Sequence, residues 1–335
     1  MLMRIIQVVL ILLSFLFMTN ANADEIEDRE GIRGTVRVAF LDGNFKKLDA
    51  IAEEYRDSKA RTASGLWKLT TFYSTFDILA WYPTYGEQSL DRFEQQAKKW
   101  IDEAPESKSA YIAYAILLYR HAFFVRGNGY ASSVAPENWP VFRKYLNEAH
   151  RQLAASKAFA SSDPHWYATM LNVATGEYWP EPEFDALLDE AAGREPYYYE
   201  IYFAAIIRKA PQWGGSLDDV AELIDHAVQL TKPQDGVGFY ARGYWYAMDQ
   251  YLGRKMFRDS QTYWAKIKAG FEDLVKQYPD EWNLNAYARF ACISLDAEAT
   301  HRAFIRLDGR IIREAWDSDD MAGGCEAFSS DESSK

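Results

Sequence analysis

Two carboxylates held about 5 to 10 Å apart can hydrolyse a sugar bond placed between them. In this chain the segment Glu177-Tyr178-Trp179-Pro180-Glu181-Pro182-Glu183 sets acids beside an aromatic platform, and further acids follow to Glu195. A glycan hydrolase using paired carboxylates of the 177–195 region, beside Trp166 and Trp179, is therefore the alternative reading. Against it, 49 of 335 residues are acidic, so such groupings arise by chance. Pro180 and Pro182 also suit the loop that opens a helix through Phe184, Leu187 and Leu188. No catalytic residue is assigned.

Metal ligation needs donors at helical or turn spacing. His121, His150, His165, His226 and His301 are scattered, without an H-E-x-x-H or C-x-x-C element, so neither a metal nor a cofactor is expected. G-x-S-x-G, G-x-x-x-x-G-K-[ST] and G-x-G-x-x-G are also missing from the sequence. Arg126-Gly127-Asn128-Gly129 reads as a helix stop, with Gly127 or Asn128 left-handed, more than as a phosphate cradle.

Aromatic side chains are the outstanding compositional feature, with 11 Trp, 22 Tyr and 19 Phe. Rings with polar tips can line a groove that holds a peptide or glycan, although helical arrays also wedge rings between helices. The candidate binding residues are Trp166 and Tyr167 beside His165, Trp179, Arg126, and the turn Pro211-Gln212-Trp213-Gly214-Gly215-Ser216. In that turn two residues without Cβ open a helix, where amides could face an anion. A tight turn explains Gly214 and Gly215 equally well.

The elements that must carry these residues are helices. Apolar positions recur at three and four residues in Phe45, Leu48, Ile51, Ala52 and Tyr55, after the breaker Asp42-Gly43. The spacing returns in Leu90, Phe93, Ala97, Trp100 and Ile101, with Ser89 as N-cap. It appears again in Phe142 to Leu153, in Val220 to Val228 behind the N-cap Ser216, and in Trp264 to Tyr278. A looser recurrence sets Pro a few residues before a helix rich in Ala and Tyr, at Pro105, Pro164, Pro196, Pro233 and Pro279. The intervals of 59, 32, 37 and 46 bracket the roughly 34 residues of a tetratricopeptide unit. The fold expected is all-α, a tetratricopeptide-like helical-hairpin array or α-solenoid with a concave side. One compact helical domain is the competing picture. Breaks inside the array are expected near 132–138 or 232–238, where turn residues cluster.

Composition fixes the setting. A net charge of -12 argues against nucleic acid or an anionic lipid surface as partner. Arg4, the apolar run Ile5 to Phe17 and the exit Ala21-Asn22-Ala23 read as a secretory signal peptide over 1–23. An uncleaved anchor is the rival, but the run is shorter than the roughly 20 residues that span a bilayer. A periplasmic or secreted protein follows, with a flexible segment over 24–34, the helical domain over 35–328 and a disordered polar tail over 329–335. No integral membrane segment is expected after cleavage. In an oxidising compartment Cys292 and Cys325 are expected to pair and staple the C-terminal segment to the Cys292 helix, two separate buried thiols being the other reading.

Several short motifs together resemble domain of unknown function 4034, a tetratricopeptide-like family of exported bacterial proteins. They are Gly43-x-Phe45 with Leu48, Tyr55-Arg56, Arg61, Ser64-Gly65, Lys68-Leu69, Phe72-Tyr73 and Arg126-Gly127. Asp163-Pro164-x-Trp166-Tyr167, Trp213-Gly214-Gly215 and the pair Cys292 and Cys325 complete the set. The resemblance implies a helical array with a disulfide and transfers no activity. The function expected is a non-catalytic binding or scaffolding module whose partner is a protein, peptide or glycan of the cell envelope.

Overall fold

The computed structural model describes residues 24–81, 86–127, 129–253, 261–318 and 320–332; the signal peptide expected over 1–23, the alternative Asn128 and the end of the tail lie outside them. The described residues form α1 (Glu25–Leu41), α2 (Phe45–Ser58), α3 (Lys68–Trp81), α4 (Glu87–Glu103) and α5 (Lys108–Arg126). There follow α6 (Asn138–Ala160), α7 (Pro164–Gly176), α8 (Glu181–Arg194), α9 (Glu200–Lys209) and α10 (Leu217–Asp235). The last third holds α11 (Phe239–Ala247), α12 (Gln261–Gln277), α13 (Glu281–Ile293), α14 (Ala297–Leu307) and α15 (Met321–Glu332). This is the all-α helical-hairpin array expected. Among the described residues, no helix is long and apolar enough to cross a membrane.

Odd and even helices have different jobs. Each even helix packs on the odd helices before and after it, while α1, α3, α5, α7, α9 and α11 also pack successively on one another. The even helices form an outer row with one apolar stripe each, such as Phe45, Leu48 and Ala52 on α2 or Leu90, Ala97 and Trp100 on α4. The odd helices form an inner row covered on more than one side. Eleven of the thirteen residues of α7 are buried, as is every residue of α13 from Asn283 to Ala291. The Ala-rich, Tyr-rich helices behind the prolines are these inner ones, because small residues let neighbouring backbones approach.

Local chemistry sets the ends. Asp24, Asn44, Ser107, Asp163, Ser216, Asp280 and Asp296 each accept an amide of the turn they cap. Gly127 stops α5 at φ 77°, as its position suggested. Several expectations are corrected. Residues 25–34 are the ordered start of α1, since Asp24 caps it and the buried Glu25 carboxylate holds Arg29 and the Ser64 amide. The polar tail is helical to Glu332, because α15 is tied to α13 by the Cys292–Cys325 disulfide. Ser89 lies inside α4, whose N-cap position is Gly86, and Pro233 sits in the last turn of α10 without opening a helix. The links near 132–138 and 232–238 join helices that pack on each other, so neither marks a break in the row.

Residues 59–67 act as a strap across the inner row. Arg61 and Trp67 form an isolated antiparallel bridge, and Thr62 N donates to Leu66 O at 2.7 Å. The strap begins at Lys59, whose ammonium lies 2.7 Å from Glu195, and Arg61 reaches the Tyr199 hydroxyl just before α9. At its tip the Ser64 carbonyl accepts from Arg242 of α11 at 2.6 Å and from Asn283 of α13 at 3.1 Å. The Ala63 and Ser64 amides donate to Asp28 and Glu25 of α1. Arg29 lies 4.7 Å over the Trp282 ring, so the first helix meets the seventh inner one. One short segment thus contacts α1, α11, α13 and the residues just before α9.

Candidate functional site

The candidate residues divide into wedges and a surface cluster. Trp166 is 1% exposed and its Nε1 donates to Leu153 O, while Tyr167 is equally buried with its hydroxyl on Glu190 at 2.7 Å. Neighbouring His165 stacks on Tyr73 and contacts the Tyr198 hydroxyl at 2.7 Å; burial drives its pKa down to about 3, so it stays neutral. These three belong to the core between α6, α7 and α9.

Arg126, Trp179 and Trp213 behave differently, because the ends of α5, α7 and α9 bring them to one surface. The Arg126 guanidinium lies 5.9 Å over the Phe123 ring and 5.8 Å over Trp139. Phe123 meets Trp213 edge-on at 6.2 Å. Arg208 then bridges onward, donating to Trp213 O at 2.9 Å and Trp179 O at 3.4 Å, with its guanidinium 4.8 Å over the Tyr178 ring. Beyond it, Glu177 Oε2 accepts from Trp179 Nε1 at 2.8 Å and lies 2.9 Å from His150 Nδ1, whose ring is 5.3 Å from Trp179. A cleft of about 570 Å³ lined by Lys144, Asn147, His150, Arg151 and Ala154 continues from His150.

Gly214 and Gly215 are architecture within this surface. Gly214 is left-handed at φ 88°, and a Cβ on Gly215 would stand 2.0 Å from the Lys209 carbonyl oxygen. Only glycine permits that approach, which folds Trp213 back toward α5. The anion reading of their amides gains nothing, since the Ser216 hydroxyl already caps α10 and Asp218 and Asp219 follow.

Two residues escaped the sequence reading as binding candidates. Tyr178 is 63% exposed and has φ 57°, a conformation that bulky residues avoid. Arg208 stacks beneath it, and burial lowers the pKa of its partner in the cluster, Arg126. The signal available was Glu177-Tyr178 directly after Gly176, where a helix must end and the next residue is turned outward.

Four acids of the 177–195 region beyond Glu177 have partners on other helices or on the strap. Glu181 and Asp185 share Lys209 at 2.7 and 3.1 Å, Glu190 holds Lys157 and the Tyr167 hydroxyl, and Glu195 holds Lys59. These four are spread along α8 and its C-terminal end, each engaged by a cation. A second cleft, of about 660 Å³, is lined by Asp49, Glu53, Arg56, Ser107 and Ser109 among others. Its Asp49 carboxyl is raised by burial and accepts from the Ser107 hydroxyl, yet that oxygen also caps α5. Below it Arg56 pairs with the buried Asp163 at 2.8 Å, and Tyr73 donates to the same carboxylate at 2.7 Å. The set joins α2, α3, α5 and α7, and its polar groups are spent on holding them.

Comparison of the chain with protein-family models, with curated proteins and with solved structures returns no match.

Proposed function

We propose that the chain is an exported, non-catalytic binding module of the cell envelope, engaging a peptide or glycan segment across the surface that runs from Trp139 through Arg126 and Trp213 to Tyr178 and Trp179. The observation that carries this reading is Tyr178. A left-handed backbone costs a bulky residue about 1 to 2 kcal/mol, and here the ring so placed stands mostly in solvent. The end of α7 repays that cost, because the Tyr178 and Trp179 amides donate to Thr175 O and Ala174 O, and what is left for a ligand is the exposed ring itself, backed by Arg208. Two further observations support it. Guanidinium-backed rings combine apolar faces with donors, the pattern of binding hot spots. The strap spends its Ser64 carbonyl on α11 and α13, so recognition is assigned to the exposed helix ends instead.

The test uses the mature chain with two probes in separate titrations, soluble peptidoglycan fragments and a pool of unstructured peptides. One class is expected to bind saturably, and Tyr178→Gly is expected to weaken it about tenfold or more. That variant relieves the left-handed strain, so its melting temperature should stay at or above that of the parent. Equal binding by parent and Tyr178→Gly would overturn the assignment of this surface. Release of free sugars from the fragments would replace the binding reading with hydrolysis.

A further inference from the structure

Glu87, Asp91 and Glu94 stand at positions i, i+4 and i+7 of α4 and therefore share one face. From α5 the fully buried His121 turns its imidazole onto that face, with Nδ1 2.5 Å from Glu94 and Nε2 3.4 Å from Glu87. Tyr145 of α6 stacks on the imidazole with ring centroids 3.9 Å apart, which fixes its plane. One donor atom from each of Asp91, Glu94 and His121 lies within 4.8 Å of the others. Among the described residues no Lys or Arg forms an ion pair with any of the three carboxylates. Three negative charges therefore face a single imidazole, and even the imidazolium leaves two of them unbalanced.

We propose that Asp91, Glu94 and His121 form a binding site for a first-row divalent metal ion, with Zn²⁺ the best match to one nitrogen and two carboxylates, clasping α4 to α5. This site is independent of the aromatic surface. Zinc binds imidazole nitrogen and carboxylate oxygen at about 2.0 to 2.2 Å, which places tetrahedral donors roughly 3.4 Å apart. The Glu94 and His121 atoms must open slightly to reach that spacing, and Asp91, on the exposed side of the cluster, closes toward them. His121 supplies the buried nitrogen, Glu94 the inner oxygen and Asp91 the outer oxygen, while Glu87, 3.4 Å from Nε2, orients the ring. Sequence spacing concealed the set, because its nitrogen lies 27 residues after Glu94 on the next helix.

The experiment is calorimetric titration of the chelator-treated, disulfide-intact chain with Zn²⁺ alone. One ion per chain is expected, with a rise in melting temperature. Asp91→Asn, at an exposed position, is expected to weaken binding about tenfold or more, with unchanged melting temperature in chelator. His150→Gln serves as the control for the pair His150 and Glu177, and should bind as the parent does. Lack of saturable one-to-one binding would overturn the site. So would binding indifferent to Asp91→Asn, or binding lost in His150→Gln; the cluster would then be an ion pair within the helix packing.

Discussion

Asp280 shows how one side chain can work against the fold it helps to build. Its Oδ1 caps α13 through the Trp282 amide at 2.7 Å, while its Oδ2 is buried without a hydrogen-bond partner among the described residues. Burial, reinforced by Glu25, pushes its pKa up to about 7. The unfolded value is about 3.9, so between these values the native chain binds more protons than the unfolded one. The stability this group contributes is complete below about pH 4 and is lost as pH rises through 7. Asp280→Asn keeps the capping oxygen and removes the charge. It is expected to raise stability at pH 8 by about 1 to 2 kcal/mol, allowing for partial exposure, with no gain near pH 3.5; urea unfolding at both pH values checks this. Glu200, raised to about 7 chiefly by burial, tilts the profile in the same direction. Single residues were also where the sequence was least legible. Trp166 and Trp213 are both Trp beside a turn, yet one is a wedge and the other faces a surface. The difference lies in which helices pass over them, and that is a tertiary fact.

At the scale of elements, periodicity told nearly everything about the outer row, because a helix with one covered side writes that side as a stripe. The inner row left a fainter trace, of Pro, Ala and Tyr, because a helix covered on several sides has no single stripe to show. The strap left no periodic trace at all. Its residues Arg61, Ser64 and Gly65, with Arg56, Tyr73 and Asp163, appear among the short motifs of the family resemblance, and the structure draws them to two adjoining places. Gly65 has φ 89°, and a Cβ there would lie 2.6 Å from the Tyr278 ring and 2.7 Å from the Arg242 guanidinium. Gly65→Ala is therefore expected to cost about 2 kcal/mol or more by urea unfolding. The loss should come with faster hydrogen exchange at Thr62 and Ser64, whose amides are bonded to Leu66 O and Glu25. An equally stable variant with those amides still protected would mean that the strap merely lies on the inner row. The expected flexibility of 24–34 failed for a related reason: an acidic stretch looks solvated until its carboxylates find strap amides to receive.

Across the whole molecule, the disulfide and the strap both converge on α13, one through Cys292 and the other through Asn283. The bridge between Cys292 and Cys325 closes a separation of 33 residues, which the chain-entropy model values at about 3 to 4 kcal/mol. Cys325→Ser should lower thermal stability accordingly, with α14 and α15 exchanging amide protons first; unchanged melting would show that packing of Trp316 on Phe304 suffices there. The strap imposes a different requirement, one of timing. Ordinary repeat arrays satisfy each unit with its neighbour and so assemble piece by piece. Here the Ser64 carbonyl waits for donors 178 and 219 positions further along. A nascent chain emerging from its N-terminus must keep that carbonyl without its protein donors until most of the polypeptide has appeared, so folding should be slow, late and nearly all-or-none.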